Sequence, residues 1–232
     1  MEDAIVEVSD SWHETFPGGH VGVVLLGNVD NTRRETPLDQ RKQEVEATLR
    51  EKYSKFSRAD LQELEVLKAY RNYYRHFNKT YHVQLQLESV VHKGKPLPNV
   101  SPLVDANFAA ELKTLILTAG HDADLLRNPV RIDVTQAGDQ FTQMNGVLKS
   151  LKPGDMMMSD ADGIVCTIIY GQDQRTPISP KTRRALYVAY APPGVPATAV
   201  SEQLDSIHDN VLLFAPEAET ELFNVYTAGL PS

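Results

Sequence analysis

Apolar and polar positions repeat with two different periods along this chain, and the dominant period changes near its middle. "HVGVVLLGNVDN" (20–31) is a β-branched apolar run that ends in turn formers, which predicts a buried strand. "ETPLDQRKQEVEATLREKYSKF" then switches to helical spacing, with Val45, Leu49, Tyr53 and Phe56 on one face, acids early and lysines late. A second helix is expected from about Ala59 to Phe77, where Leu64, Leu67, Tyr70, Tyr74 and Phe77 share a face. "YHVQLQLESVVHKG" fits both periods. Val83, Leu85 and Leu87 alternate as in a strand, whereas Val83, Leu87, Val90 and Val91 suit a helix. Gly94 closes the segment, and Pro96 and Pro98 punctuate the link that follows. A helix over 101–117 comes next, with Ser101 as its cap and Pro102 at its first position.

The second half reads as strands: "NPVRIDV", "DMMMSD", "GIVCTIIY" and "RALYVAY". Asp162-Gly163 between two of them predicts a tight turn and an antiparallel hairpin. "TAVSEQLDSIHDN" predicts a helix, "VLLFAP" a strand, and "EAETELFNVY" a short helix or strand. Helices come first and strands later, without regular βαβ alternation. The expected class is therefore α+β, in one domain over residues 1–232, with no internal repeat.

Chemistry enters with the helix over 101–117. Val104, Phe108, Leu112 and Leu115 form an apolar stripe. Asn107, Glu111, Thr114 and Thr118 form a polar stripe rotated from it by somewhat under a quarter turn. Such a border faces either solvent or the rim of a cavity. His121, Asp122 and Asp124 follow. They suit either a turn with capping aspartates or a general base whose tautomer a carboxylate fixes. "AYRNYYRHFNK" mixes Arg71, Arg75 and Lys79 with four aromatics. The rings are either core, or a platform for bases beside phosphate-binding cations. "GQDQRTPISPKTRR" is a loop whose Arg175, Lys181, Arg183 and Arg184 could form a local positive rim. Cys166, within a strand-like run, reads as a buried thiol.

Composition narrows the choices. The net charge of −8 disfavours indiscriminate binding to nucleic acid. One cysteine excludes an internal disulfide and a cysteine-based zinc cluster. "DADG" lacks the rest of a calcium loop, and no nucleophile elbow, Walker loop or dinucleotide fingerprint occurs. No metal and no cofactor is expected. The apolar runs are too short for a membrane span, and the acidic "MEDAIVEVSD" is no secretory signal, so a cytoplasmic location is expected.

From about residue 16 to 192 the sequence resembles the B3/B4 domain, the tRNA-binding and editing region of the phenylalanyl-tRNA synthetase β subunit, in its free-standing form. "FPGGHVGVVLLGNVDN", "AYRNYYRHF", "GKPLPNVSPLVDANFAAELKT", "AGHDADLL" and "LKPGDMMMSDADGIVCTIIYGQDQRTPISPKTRRALYVAY" carry the likeness in order and spacing. It implies a layered fold with antiparallel and mixed sheets and an N-terminal helical portion. It also implies a pocket lined by Asn107 and Glu111, beside Phe108, with Arg175 and Thr176 in a later pocket loop. In such synthetases the region hydrolyses a mischarged ester. Here Ala119 stands where they carry histidine, His121 takes the aromatic position, and Cys166-Thr167 replaces a Cys-Arg pair. His121 and Glu111 are the candidate catalytic residues. The expected partners are tRNA or aminoacyl-tRNA, with recognition and ester hydrolysis as the function. The alternative is a non-catalytic pocket for a free amino acid or small aromatic metabolite. No part of the chain resembles the ATP-using ligase module.

Overall fold

A computed structural model describes residues 6–32 and 37–229. Residues 1–5, at the start of the acidic N-terminal stretch, lie outside the described residues, as do Glu35 and Thr36, the expected opening of the first long helix. The elements run β1 (Val6–Val8), α1 (Asp10–Thr15), β2 (His20–Gly27), α2 (Pro37–Tyr53), α3 (Arg58–Gln62), α4 (Glu65–His76), α5 (His82–Lys93) and α6 (Pro102–Thr114). They continue with β3 (Thr118–Asp122), β4 (Val130–Val134), β5 (Gln140–Thr142), β6 (Leu148–Ser150), β7 (Met156–Asp160), β8 (Gly163–Thr167) and β9 (Gly171–Gln172). The chain closes with β10 (Ala185–Ala191), α7 (Ala197–Leu212) and β11 (Glu219–Thr227). The class is α+β, as expected, with helices packed around antiparallel and mixed sheets.

One sheet has the order β11-β2-β10-β3 and is antiparallel throughout. The other is mixed, β1-β4-β7-β8-β9, with β1 parallel to β4 and the remaining pairs antiparallel. β5 and β6 form a separate hairpin. β2 lies inside the first sheet with every residue buried, so it reads as an unbroken apolar run rather than an alternation. Gly22 has no side chain because α7 crosses there: a Cβ would meet Val200 Cγ1 at 2.5 Å.

The ambiguous segment over 81–94 is a helix, α5, ending at Gly94. The segment after residue 217 resolves as strand β11, paired with β2. The helix expected over 59–77 is two helices. Ser57 and Asp60 close a capping box on α3, and the chain is extended at Leu64 before α4 begins. "VLLFAP" is not a strand. Val211 and Leu212 finish α7, and Phe214 packs into the core one turn further on. A four-residue apolar run fits either period, and packing against the first sheet decides it. The hairpin of β7 and β8 is present, with Asp160 paired to Gly163 across Ala161 and Asp162.

The tyrosines of α4 point inward and fasten it to both sheets. The hydroxyl of Tyr70 donates to Tyr190 O at 2.5 Å, that of Tyr74 to Ile168 O at 3.0 Å, and that of Tyr73 to Asp155 Oδ1 at 2.6 Å. The Tyr70 ring stacks on Tyr81 with centroids 4.1 Å apart.

The polar face of α2 has a similar task. The proline-bearing link over 95–99 cannot pair with itself, and α2 supplies partners at helical spacing. Lys42 Nζ donates to Pro98 O and Asn99 Oδ1, Glu46 Oε1 accepts from Leu97 N, and Arg50 donates to Lys95 O. Lys42 also pairs with buried Asp105 at 2.9 Å, and Asp105 Oδ1 accepts from Val100 N. Ser101 sits at the N-cap of α6, but its hydroxyl makes no cap bond. Asn31 caps the helix from a distance: its Oδ1 accepts from Leu103 N at 2.9 Å, while its Nδ2 donates to Ser179 O.

Lys42→Ala leaves the Asp105 carboxylate buried without its cation. Urea unfolding should show a loss of about 3–5 kcal/mol. Arg41→Ala, at the exposed pair with Glu44, should cost less than about 1 kcal/mol.

Candidate functional site

The sequence makes α6 a helix with an apolar stripe and a polar border. The fold buries it on nearly every side, against α2, α5, α7 and β3. Of the apolar stripe Leu112 and Leu115 are buried and Val104 and Phe108 half-exposed, while Asn107 and Glu111 of the polar border are buried. The helix also stops earlier than expected. Leu115 takes a left-handed backbone (φ 64°) as the C-cap, and three residues later the chain is already in β3. Thr118 is therefore the first residue of a strand rather than the fourth of a helical stripe.

α6 packs against the start of β3, and two side chains one turn apart clamp the backbone of Thr118. Asn107 Nδ2 donates to Thr118 O at 2.9 Å, and Thr118 N donates to Glu111 Oε2 at 3.0 Å. The Thr118 hydroxyl accepts from Gln203 Nε2 of α7 at 2.8 Å, and Gln203 Oε1 accepts from the Thr114 hydroxyl at 2.6 Å. The clamp uses one polar end of each of Asn107 and Glu111. Asn107 Oδ1 is buried with no hydrogen-bond partner, and Glu111 Oε1 has none among the described residues.

Both residues line a cleft of about 580 Å³ between the two sheets, within the usual range for small-molecule sites. α6 contributes Asn107, Glu111, Val104 and Phe108; β3 contributes Thr118, Ala119 and Gly120. The far wall is β8, the turn after it and β9, from Cys166 to Gln172, and Tyr187 and Tyr190 of β10 complete it. Gly120 lies opposite Tyr187 in the sheet, and a Cβ there would come within 2.8 Å of Ile178 and 3.0 Å of the Tyr187 ring. Most of the lining is apolar, and its polar side chains include Asn107, Glu111, His82, Gln172 and Tyr190. The Tyr190 hydroxyl meets the Cys166 thiol, whereas Asn107 Oδ1 is buried without a hydrogen-bond partner.

Burial raises the pKa of Glu111 to about 8, against the smaller opposing effect of the Thr118 amide. At neutral pH the carboxyl is protonated and offers the cleft a donor beside the Asn107 acceptor. Burial likewise pushes the Cys166 thiol up to about 12, so it is no nucleophile at neutral pH.

The remaining expected site residues lie apart from the cleft lining. His121 is fully buried, and its Nδ1 lies 2.8 Å from the Thr176 hydroxyl. That hydroxyl donates to Asp173 Oδ1 and so accepts from His121, which fixes the proton on Nδ1. Burial depresses the His121 pKa to about 3, so the ring is neutral and structural. Arg175 is taken up by Asp160 and Asp173, and Arg184 by Glu221 and Asp124. Two of the four cations of the expected positive rim, Arg175 and Arg184, are thus neutralised, while Lys181 and Arg183 form no ion pair among the described residues. Arg175, Thr176 and His121 form one linked cluster, joined to the cleft lining by Gln172, whose Nε2 donates to Gly120 O and Thr176 O and lies 3.1 Å from His121 Nδ1.

Sequence reasoning missed His82. It opens α5 and lines the cleft with part of its surface exposed, and partial desolvation lowers its pKa below the ordinary 6.5. Its segment was ambiguous in period, so no face could be assigned to it. Gln172 and Tyr190 were equally invisible. Among the described residues no Lys or Arg lines the cleft, and no group of three or more His, Cys, Asp or Glu could hold a metal ion.

Comparison with known proteins gives two findings. The family model described as the B3/4 domain matches residues 66–208, well over half the chain. Among solved structures, an N-terminal fragment of the phenylalanyl-tRNA synthetase beta-subunit from Pyrococcus horikoshii is similar to this chain with a TM-score of 0.50 and 10% identity. The alignment covers 95% of this chain and 51% of that fragment, so the chain spans about half the fragment's length. At this identity the likeness is one of fold. A search of curated proteins found no match.

The Glu111 carboxyl has a stability signature. Its folded pKa, about 8, lies above the ordinary 4.5, so between these values the folded state holds a proton that the unfolded state has lost. The stability tied to that proton is complete below pH 4.5 and is lost as pH rises through about 8. Glu111→Gln keeps the acceptor for Thr118 N and cannot ionise. In denaturant titrations its stability relative to wild type should rise steadily from pH 5 to 8. A pH-independent difference would mean the carboxyl titrates normally.

Proposed function

The chain belongs to the B3/4 domain family, and we propose that its cleft receives the aminoacyl end of an aminoacyl-tRNA and hydrolyses a mischarged ester in trans. The observation that carries this reading is the mostly apolar cleft with one unpartnered buried acceptor, Asn107 Oδ1, beside the protonated Glu111. Phe108, Tyr187, Ile168 and Ile169 suit an apolar or aromatic amino-acid side chain. Asn107 and Glu111 would then recognise its polar atoms. An analogue lacking a required polar group leaves these atoms unpaired, a difference of up to about 10⁴-fold.

An aminoacyl ester is already reactive, so the site need only place water and hold the developing charge. His82 is the candidate base, because it lines the cleft and its lowered pKa keeps it neutral at pH 7. It would take a proton as water attacks the ester carbonyl. That proton would return to the ribose oxygen as the carbon–oxygen bond breaks. His121 does not suit this task, because Thr176 engages its Nδ1 and it lies outside the lining.

A second reading is a non-catalytic pocket for a free amino acid or small aromatic metabolite. The observation that favours it is a lining without Lys or Arg among the described residues.

Single-turnover hydrolysis of a panel of mischarged tRNAs separates the two. On the first reading the rate rises with pH through a value below 6.5 and falls above about 8, as His82 loses its proton and Glu111 ionises. His82→Asn should lower the plateau by about 10²–10⁴-fold and remove the rising limb. Glu111→Gln should remove the falling limb. No turnover above buffer on any species sinks hydrolysis and leaves the second reading.

A further inference from the structure

β11, with nine residues, is the longest strand among the described residues, and it stands at the edge of its sheet. An edge strand leaves half of its backbone donors and acceptors without a ladder. The other sheet edges are short or covered. β1, β5 and β6 have three residues each and β9 two. The segment after β9 lies along β3, where Asp122 N donates to Thr176 O and His121 bridges to Pro177. β11 has no such cover among the described residues and is mostly exposed.

The pairing with β2 decides which of its groups are free. Ala228 N donates to Gly19 O, so Ala228 faces β2. Alternation then turns the main-chain groups of Leu222, Asn224 and Tyr226 toward β2, and those of Phe223, Val225 and Thr227 outward. One outward donor has a local cover: Val225 N donates to Oδ1 of the exposed Asn224 at 2.9 Å. A β-bulge between Thr220 and Leu222 ends the regular ladder on one side. The regular stretch over 222–227, "LFNVYT", holds no charge and no proline, so it lacks the usual guards against edge pairing. Glu219 and Glu221 lie at or beyond the bulge, and Glu221 is tied to Arg184.

Side chains add an apolar surface to this edge. A Cβ on Gly22 would meet α7, and Val225 stands opposite Gly22, so Val225 and Phe223 lie on the α7 face of the sheet. Phe223 is 41% exposed there.

We propose that β11 pairs antiparallel with β11 of a second copy of this chain across a two-fold axis, joining two four-stranded sheets into one. The stretch is its own complement. Centred on Val225, the pairing sets Val225 against its own copy, Phe223 against Thr227 and Asn224 against Tyr226. Outward donors then meet outward acceptors, and no charge faces a like charge. A carbonyl of the other copy replaces the Asn224 side chain on Val225 N. Phe223 packs against Val225 and Thr227 of the other copy on the α7 face. β2 and β10 separate β11 from β3, so both clefts stay open and the pairing is independent of what the cleft binds.

Sedimentation equilibrium of the full chain over a concentration series tests the association. Wild type should show a reversible monomer–dimer equilibrium that tightens with salt, because each copy carries a net charge of −8 and no ion pair holds the join. Val225→Pro removes an outward donor and spares the ladder to β2, and Phe223→Lys places a charge beside the axis. The first deletes two hydrogen bonds per dimer, and each substitution should weaken association at least about 10-fold with an unchanged circular dichroism spectrum. If Val225→Pro misfolds, Phe223→Lys decides. Cysteine cross-linking reads the register, since the native Cys166 is buried. Val225→Cys brings two Cα atoms to about 5.5 Å across the axis and should give a disulfide-linked dimer under mild oxidation. Glu219→Cys, roughly 40 Å from its copy in this register, should not. The proposal is overturned by a wild type that stays monomeric up to about 1 mM, or by a dimer that survives both substitutions in folded chains. A dimer that weakens with salt, or equal cross-linking of the two cysteine variants, overturns it as well.

Discussion

The clamp on Thr118 is the constraint around which the site is arranged. An amide and a carboxyl one helical turn apart hold both backbone groups of a single strand residue. Each spends one polar atom on the backbone and keeps one for the cleft. Buried polar groups are costly unless bonded. Asn107 and Glu111 are therefore tolerated in the interior partly because β3 starts where they can reach it. The left-handed turn at Leu115 makes this reach possible, and the Tyr81 hydroxyl secures it by donating to Leu115 O at 3.0 Å.

Around this clamp the polar groups of the helical half act as fasteners more than as surface. Lys42, Glu46 and Arg50 replace the hydrogen bonds that a proline-rich link cannot make with itself. Asn31 replaces the cap that Ser101 does not provide. Tyr70, Tyr73 and Tyr74 join one helix to both sheets through their hydroxyls. These bonds set α6 and the two sheets far enough apart to leave a cleft. They also leave Asn107 Oδ1 buried beside it without a partner.

The electrostatics divide the molecule in two. The cleft is apolar and holds its titratable groups neutral: Glu111 protonated, His82 unprotonated, Cys166 as a thiol. Most arginines elsewhere are tied to acids, Arg175 and Arg184 of the basic loop among them.

By itself the sequence determined the local elements, since helical and strand periods are set by near neighbours. β2, α2, the hairpin of β7 and β8, β10 and α7 were all legible, and the family resemblance was visible in "PLPNVSPLVDANFAAELKT". Asn107 and Glu111 stood out because polar residues bordering an apolar stripe are unusual enough to notice. What only the tertiary structure decided was where each of these groups points and what it meets. The period of "VLLFAP" yielded to packing against the first sheet. His121, beside the helix in sequence, turned into a closed cluster, while His82, distant in sequence, came to line the cleft. The physical reason is that burial and hydrogen-bond partners are long-range quantities. The carboxyl of Glu111 is a donor at neutral pH only because elements far apart in the chain close around it.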